Sequence, residues 1–267
     1  MTEHRFGGPW TEEKLLRLKK YLDAYMKIFS RNERAAYFRA VYVDAFAGTG
    51  ERDAHERDEG PGLFGYDEEI RGFQEGSVRK ALSIDNKFDR YIFIESKPKH
   101  VAALRRLIGA EFRTLSDRCI IEEEDANTWL QEWCRTQEWR GQRAVVFLDP
   151  YGMNVDWATI EAIARTKAID LWVLFPFAIG ANRMMPKDAP PDSLWAKRLT
   201  AIFGTEEWKS RFYGPPKGGL FPDFHGPIVK IAGMDDVLEF FLERLRSVFA
   251  KIVDRPLILE NSKHTPM

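Results

Sequence analysis

Five short runs of β-branched and aromatic residues recur along the chain, and most of them stop at an acid. They are Ala40–Asp44, Arg90–Glu95, Arg118–Glu123, Ala144–Asp149 and Ala168–Phe175. Runs this short and this continuously apolar read as strands buried on both faces. Helical patterns fit between them over 97–109, 126–138 and 156–166, and Gly76–Ile84 reads as a capped helix ahead of the second run. Strands alternating with helices at this spacing predict a doubly wound, mostly parallel α/β sheet with right-handed crossovers. A further helix over 234–252 and a last strand over Pro256–Glu260 complete the alternation.

The flanking segments differ in kind. Residues 11–29 predict an amphipathic helix, with Thr11, Glu12 and Glu13 as cap and acidic first turn and Leu15, Leu18, Leu22, Tyr25, Met26 and Phe29 on one face. Residues 51–75 are dense in Glu, Asp, Arg and Gly without apolar periodicity, and read as a mobile, solvated lid. Residues 176–226 are rich in proline and glycine, with short helical patches over 192–203 and 205–212. The division expected is therefore a helical N-terminal cap over 1–39, a sheet domain over 40–175 and 227–267, and an inserted substrate or cap region over 176–226. Insertions near the carboxyl edge of a parallel sheet shape ligand sites.

Composition narrows the class. With 44% hydrophobic and 30% charged residues a packed core is expected over disorder. Lys and Arg number 40 against 41 Asp and Glu, so no global basic field attracts nucleic acid, although a local basic face is compatible with that balance. Two cysteines, Cys119 and Cys134, are too few for a disulfide framework or a zinc cluster, and a reduced, cytoplasmic protein is expected. No apolar run approaches the roughly 20 residues of a membrane span, and the N-terminal residues lack the apolar core of a signal peptide. His55, His100, His225 and His264 show no metal-ligand spacing.

The ends of the runs carry the chemistry. Ligands of an open parallel sheet bind beyond the carboxyl ends of its strands. There the chain places Asp44, Phe46, Gly48 and Gly50, then Glu95, then Asp125 with Asn127, then Asp149-Pro150-Tyr151-Gly152. Glycines after the first strand allow a sharp turn and close backbone approach to a ligand. An acid closing the second strand can accept both hydroxyls of a ribose, and an acid after the third can take an adenine amino group. The set describes a site for an adenosine-containing ligand. A dinucleotide fold would require a third glycine and an acid about 20 residues on; here the third glycine is missing and Glu95 lies far downstream, beyond the 51–75 segment.

The pattern Asp-x-Phe-x-Gly-x-Gly resembles motif I of class I S-adenosylmethionine-dependent methyltransferases, particularly those acting on amino groups. The resemblance implies a Rossmann-like fold of that type and S-adenosyl-L-methionine as cofactor. It places Gly48 and Gly50 beside the methionine part, Glu95 on the ribose and Asp125 at the adenine, with Asp44 and Phe46 in the same motif. Asp149, Pro150 and Tyr151 resemble the Asp/Asn-Pro-Pro-Tyr/Phe motif in which the side chain and prolyl carbonyl hold an exocyclic amine and the ring stacks on a flipped base. The second proline is absent here. More specifically, Phe6-Gly-Gly-Pro-Trp-Thr-Glu-Glu-Lys-Leu15, Tyr21-Leu22 with Tyr25, Asp44–Gly50, Asp149–Gly152 and Asn182-Arg183-Met184 resemble the three-Cys-motif partner protein (TcmP) family. That likeness implies a methyltransferase-like protein beside a three-Cys-motif partner, in a phage or mobile-element setting. Trp10, Lys14, Asn182 and Arg183 are then candidates to meet substrate, Lys14 an anionic one.

Each assignment has a structural counterpart. The Asp44–Gly50 segment also fits a plain strand-to-helix turn, and Glu95 and Asp125 also fit helix caps. Asp149-Pro150 fits a turn opening, Tyr151 fits simple packing, and Lys14 fits a solvated helix position. Cys119 and Cys134 read as core residues, which argues against methylation through a cysteine adduct. Two functions follow: a methyltransferase acting on nucleic acid or a modified nucleotide, with amino groups favoured, or a non-catalytic methyltransferase-like module serving a neighbouring protein.

Overall fold

The computed structural model describes residues 9–48, 76–150, 153–181, 183–215 and 227–260, with side chains described from residue 13 onward and excepting 178 and 179. The 51–75 segment read as a lid therefore lies outside the described residues. Helices α1 (Pro9–Arg31) and α2 (Glu33–Ala36) precede β1 (Arg39–Asp44). Helix α3 covers 76–82 and leads to β2 (Arg90–Ile94). Then come α4 (Pro98–Glu111), β3 (Cys119–Glu122), α5 (Ala126–Thr136), β4 (Gln142–Leu148), α6 (Trp157–Thr166) and β5 (Ile169–Val173).

The five strands form one sheet in the order β3-β2-β1-β4-β5, with every pairing parallel. This is the Rossmann-like order, and its direction reverses between β1 and β4. Successive side chains of a strand point to opposite faces, which decides what each strand meets. Val41, Val43, Ile92, Ile94, Val146 and Leu148 face Leu130 and Cys134 of α5 and Ile160 and Ile163 of α6. Tyr42, Tyr91, Phe93, Val145 and Phe147 face Leu18 and Leu22 of α1, Val78 and Leu82 of α3, and Leu104 and Leu107 of α4. The sheet is thus doubly wound, and burial on both faces explains why its strands read as continuous apolar runs.

Beyond β5 the chain forms a π-helical turn (Phe177–Ala181), then α7 (Ser193–Phe203), α8 (Trp208–Phe212) and a two-residue antiparallel pair, β6 (Tyr213–Gly214) with β7 (Val229–Lys230). Asp192 caps α7 by accepting from the N–H groups of Leu194 and Trp195 at 3.0 and 2.9 Å. Phe203, Phe212 and Phe240 stack edge-on to one another, with ring centroids 5.2–5.6 Å apart, so α7 and α8 dock on α9 (Met234–Val248). Helix α9 ends four residues short of the sequence expectation.

Two expectations are corrected. Residues 256–259 form no strand; only Glu260 makes a bridge, and Leu257 and Ile258 are exposed. A run of four apolar or β-compatible residues carries no periodicity that distinguishes a strand from an extended tail. Cys119 is half-buried at the head of an edge strand, whereas Cys134 is buried as expected. Among the described residues no helix is long and apolar enough to cross a membrane.

Candidate functional site

The order reversal leaves the carboxyl ends of β1 and β4 side by side without a crossover helix between them, and three acids gather there. Asp44 is the last residue of β1, Asp149 follows β4 and Glu95 follows β2. Asp44 and Asp149 are 0% and 1% exposed, although carboxylates are almost never fully buried without a partner.

Asp44 accepts the Ser77 hydroxyl at 2.7 Å, which joins β1 to α3, and the Phe46 N–H at 3.4 Å. Burial pushes its carboxyl up to about 7; the Ser77 hydrogen bond pulls the other way, and the charge of Asp149 adds to the rise. Tyr42, beneath it, has its hydroxyl pushed well above the ordinary value by burial and then by the charges of Asp44 and Asp149.

Asp149 is partnered from the N-terminal helix. Lys14 Nζ lies 3.7 Å from Asp149 Oδ1, and Lys14 is 5% exposed. Burial lowers the Lys14 ammonium to about 8 and raises the Asp149 carboxyl to about 6, while each partner's charge draws the other back toward its ordinary value. The solvated position that a helix lysine usually occupies is not the one found. The signal was in the sequence: Lys14 lies one turn before Leu18 and two before Leu22, on the stripe that packs against the sheet.

Glu95 closes the other side of β1. Its Oε2 accepts the Gly48 N–H at 3.1 Å with His100 Nδ1 at 3.5 Å, and its Oε1 accepts the Lys97 N–H at 2.8 Å. Burial works to raise this carboxyl, but the bonds from His100, Lys97 and Gly48 outweigh it and hold Glu95 below the ordinary range. Gly48 has φ of +64°, the left-handed region where a side chain is strained, so the turn after β1 needs glycine there. Among these contacts, His100 is read in the sequence only against metal-ligand spacing; five residues after Glu95, it meets that carboxylate from the first turn of α4.

The remaining candidates fall around this centre. Asp125 is exposed and caps α5, its Oδ1 accepting the Thr128 N–H and hydroxyl at 2.9 and 3.1 Å. Asn127 braces the segment that follows Asp149: its Oδ1 accepts from the Asp156 N–H and the Thr159 hydroxyl, and its Nδ2 donates to the Asn154 carbonyl. Arg198 of α7 holds the same segment through the Met153 carbonyl and, at 2.7 Å, Asp156 Oδ1. Pro150 lines a small apolar cavity with Val173, Phe175 and Ile202. Phe46 is half-buried and Arg183 exposed. Gly50, Tyr151 and Asn182 lie outside the described residues, as does the side chain of Trp10. Among the described residues, no group of three or more His, Cys, Asp or Glu is arranged to hold a metal ion.

No protein-family model and no curated protein matches the sequence. Solved structures resemble it distantly. A conserved hypothetical protein of Streptococcus pyogenes is 21% identical, with a TM-score of 0.32 over 56% of this chain and 78% of its own. The Escherichia coli yhhF protein, a methyltransferase by provisional name, is 15% identical with a TM-score of 0.32 over 59% of this chain and 63% of its own. LPL1258 of Legionella pneumophila is 15% identical with a TM-score of 0.40 over 76% of each chain. At these scores the functional reading rests on the geometry above.

Two predictions follow from the buried acids. Lys14→Met leaves Asp149 buried without its counter-charge, and should lower unfolding free energy by about 3–5 kcal/mol. Adding Asp149→Leu should recover much of the loss in chemical denaturation; a double variant as unstable as Lys14→Met alone would contradict the pairing. For Asp44, the folded state keeps between about pH 4 and 7 a proton that the unfolded chain releases, because its folded value is about 7 against an ordinary 3.8. Its contribution to stability therefore falls as pH rises through that window. The stability of Asp44→Asn relative to the native protein should shift in the variant's favour from pH 5 to pH 8, and a constant gap would refute it.

Proposed function

We propose that this protein is an S-adenosylmethionine-dependent methyltransferase that modifies an amino group of a nucleic acid or modified nucleotide. The observation that carries the reading is the Glu95 carboxylate at the end of β2, below its ordinary pKa range and joined to the N–H of left-handed Gly48 across the strand gap. A carboxylate kept ionised beside a glycine turn fits a ribose diol, which it accepts through both oxygens. The Glu95 carboxylate, held ionised, also supplies negative charge that fits a cationic ligand.

The cofactor supplies an electrophilic methyl group on a sulfonium; the protein's contribution is placement and proton handling. Glu95 orients the ribose, and Gly48 keeps the backbone free of a Cβ where the ligand approaches. Asp149 accepts a hydrogen bond from the acceptor amine and then the proton that the nitrogen sheds once it carries the methyl group. Burial raises the Asp149 carboxyl while Lys14 draws it down, so the carboxyl becomes a stronger base as Lys14 withdraws, which suits it to take the proton. Because Asp149 is buried under α1, an acceptor reaches it only when the Lys14 side chain yields its place.

Within this reading, Asp125 serves the adenine and Pro150, next to Asp149, belongs to the acceptor side. The likeness of Phe6–Leu15 and Asp44–Gly50 to the three-Cys-motif partner family extends the proposal to a partner protein of that kind and to a phage or mobile-element setting.

The test is Glu95→Ala in calorimetry with S-adenosylmethionine. Loss of charged hydrogen bonds to the ribose, worth roughly 1.5–3 kcal/mol, should weaken binding about 10- to 100-fold. An unchanged dissociation constant would mean that Glu95 holds no ribose.

A further inference from the structure

The opposite, amino edge of the sheet carries a second group of charged residues, in a cavity of about 340 Å³ lined by Arg39, Val41, Asp89, Arg90, Gln137 and Gln142. Its construction follows from strand register. Arg39, Arg90 and Gln142 are the first residues of β1, β2 and β4, which lie side by side with β1 in the middle. Each stands two residues before a core side chain, Val41, Ile92 and Ala144 respectively, and those three point to the α5–α6 face. By the two-residue period of a strand, Arg39, Arg90 and Gln142 point to that face as well. Arg39 pairs directly with Gln142, and Val41 with Arg90. The C-cap of α5, Gln137, closes the far wall.

The polar groups are unequally engaged. Asp89 Oδ2 accepts the Ala40 N–H at 2.8 Å, so the one acid of the cavity is tied to the β1 backbone. Neither the Arg39 nor the Arg90 guanidinium has a hydrogen bond or ion pair among the described residues. Two guanidinium groups therefore face the space against a single carboxylate, with two carboxamides as further donors. A guanidinium presents planar, paired N–H groups that match phosphate oxygens. The volume is at the lower end for small-molecule sites, and the polar lining disfavours an apolar guest.

We propose that this amino-edge cavity binds a small phosphorylated anion, a diphosphate or a phosphomonoester, through Arg39 and Arg90. Strands of five or six residues separate it from the carboxyl edge by about 17–20 Å, so it is a site distinct from the one assigned to the adenosyl cofactor and stands whether or not that assignment holds.

The test uses the full chain titrated calorimetrically with inorganic pyrophosphate and, separately, with adenosine monophosphate. Arg39→Gln and Arg90→Gln are compared with Arg31→Gln, an exposed arginine of α1 away from the cavity. Saturable one-to-one binding of either probe, weakened about tenfold or more by each cavity variant and untouched by Arg31→Gln, is the expected result. The cavity arginines are exposed, so thermal unfolding should confirm that the variants are folded. Absence of binding by both probes would overturn the proposal, as would equal losses in all three variants. Binding of a short single-stranded DNA that depends on Arg90 while neither small probe binds would also overturn it, in favour of a nucleic-acid backbone.

Discussion

A carboxylate removed from water must be answered by charge or by a proton, and at the end of β4 the answer to Asp149 comes from Lys14. The consequence reaches well beyond the pair. Desolvating two ions costs several kcal/mol each, and their attraction offsets this only when both are held in place. Helix α1 is held by Leu15, Leu18 and Leu22, which are buried against the sheet on the same stripe as Lys14. The apolar packing sets where the ammonium arrives, and the ion pair sets which turn of α1 crosses the carboxyl edge. Asp44, one strand away, has no lysine paired with it among the described residues; the Ser77 hydroxyl and a raised proton affinity serve instead.

The two edges of the sheet gather different charged side chains, with Lys14 offsetting Asp149 at one and Asp89 standing beside Arg39 and Arg90 at the other. Asp44, Glu95 and Asp149 gather at the carboxyl edge where the strand order reverses, whereas Arg39 and Arg90 open the strands at the amino edge. The overall charge of -1 conceals this division. A doubly wound sheet, with both faces covered by helices, leaves only its edges for such groups.

Much of this arrangement is legible in the chain. The runs that become β1, β2, β4 and β5 are continuous because both faces of the sheet are buried, and the acids that end three of the runs are set at the carboxyl edge by parallel topology alone. What could not be read depends on tertiary approach. Lys14 sits on an apolar stripe, a visible sign, but its partner lies more than a hundred residues away. Ser77 reaches Asp44 across 33 residues, once α3 has docked. Asp125, read both as a cap and as an adenine contact, does cap α5, a local bond that sequence spacing encodes well. The 256–260 segment, five residues long, carries too little periodicity to tell a strand from an extended tail, and only Glu260 makes a bridge.

The central claim is that an adenosyl cofactor lies between the ends of β1 and β2. A crystal structure of the full chain with S-adenosylhomocysteine tests it most directly. The account predicts both ribose hydroxyls on the Glu95 carboxylate, with the ligand passing over the Gly48 backbone. A ligand bound elsewhere, or a ribose held without Glu95, would contradict it.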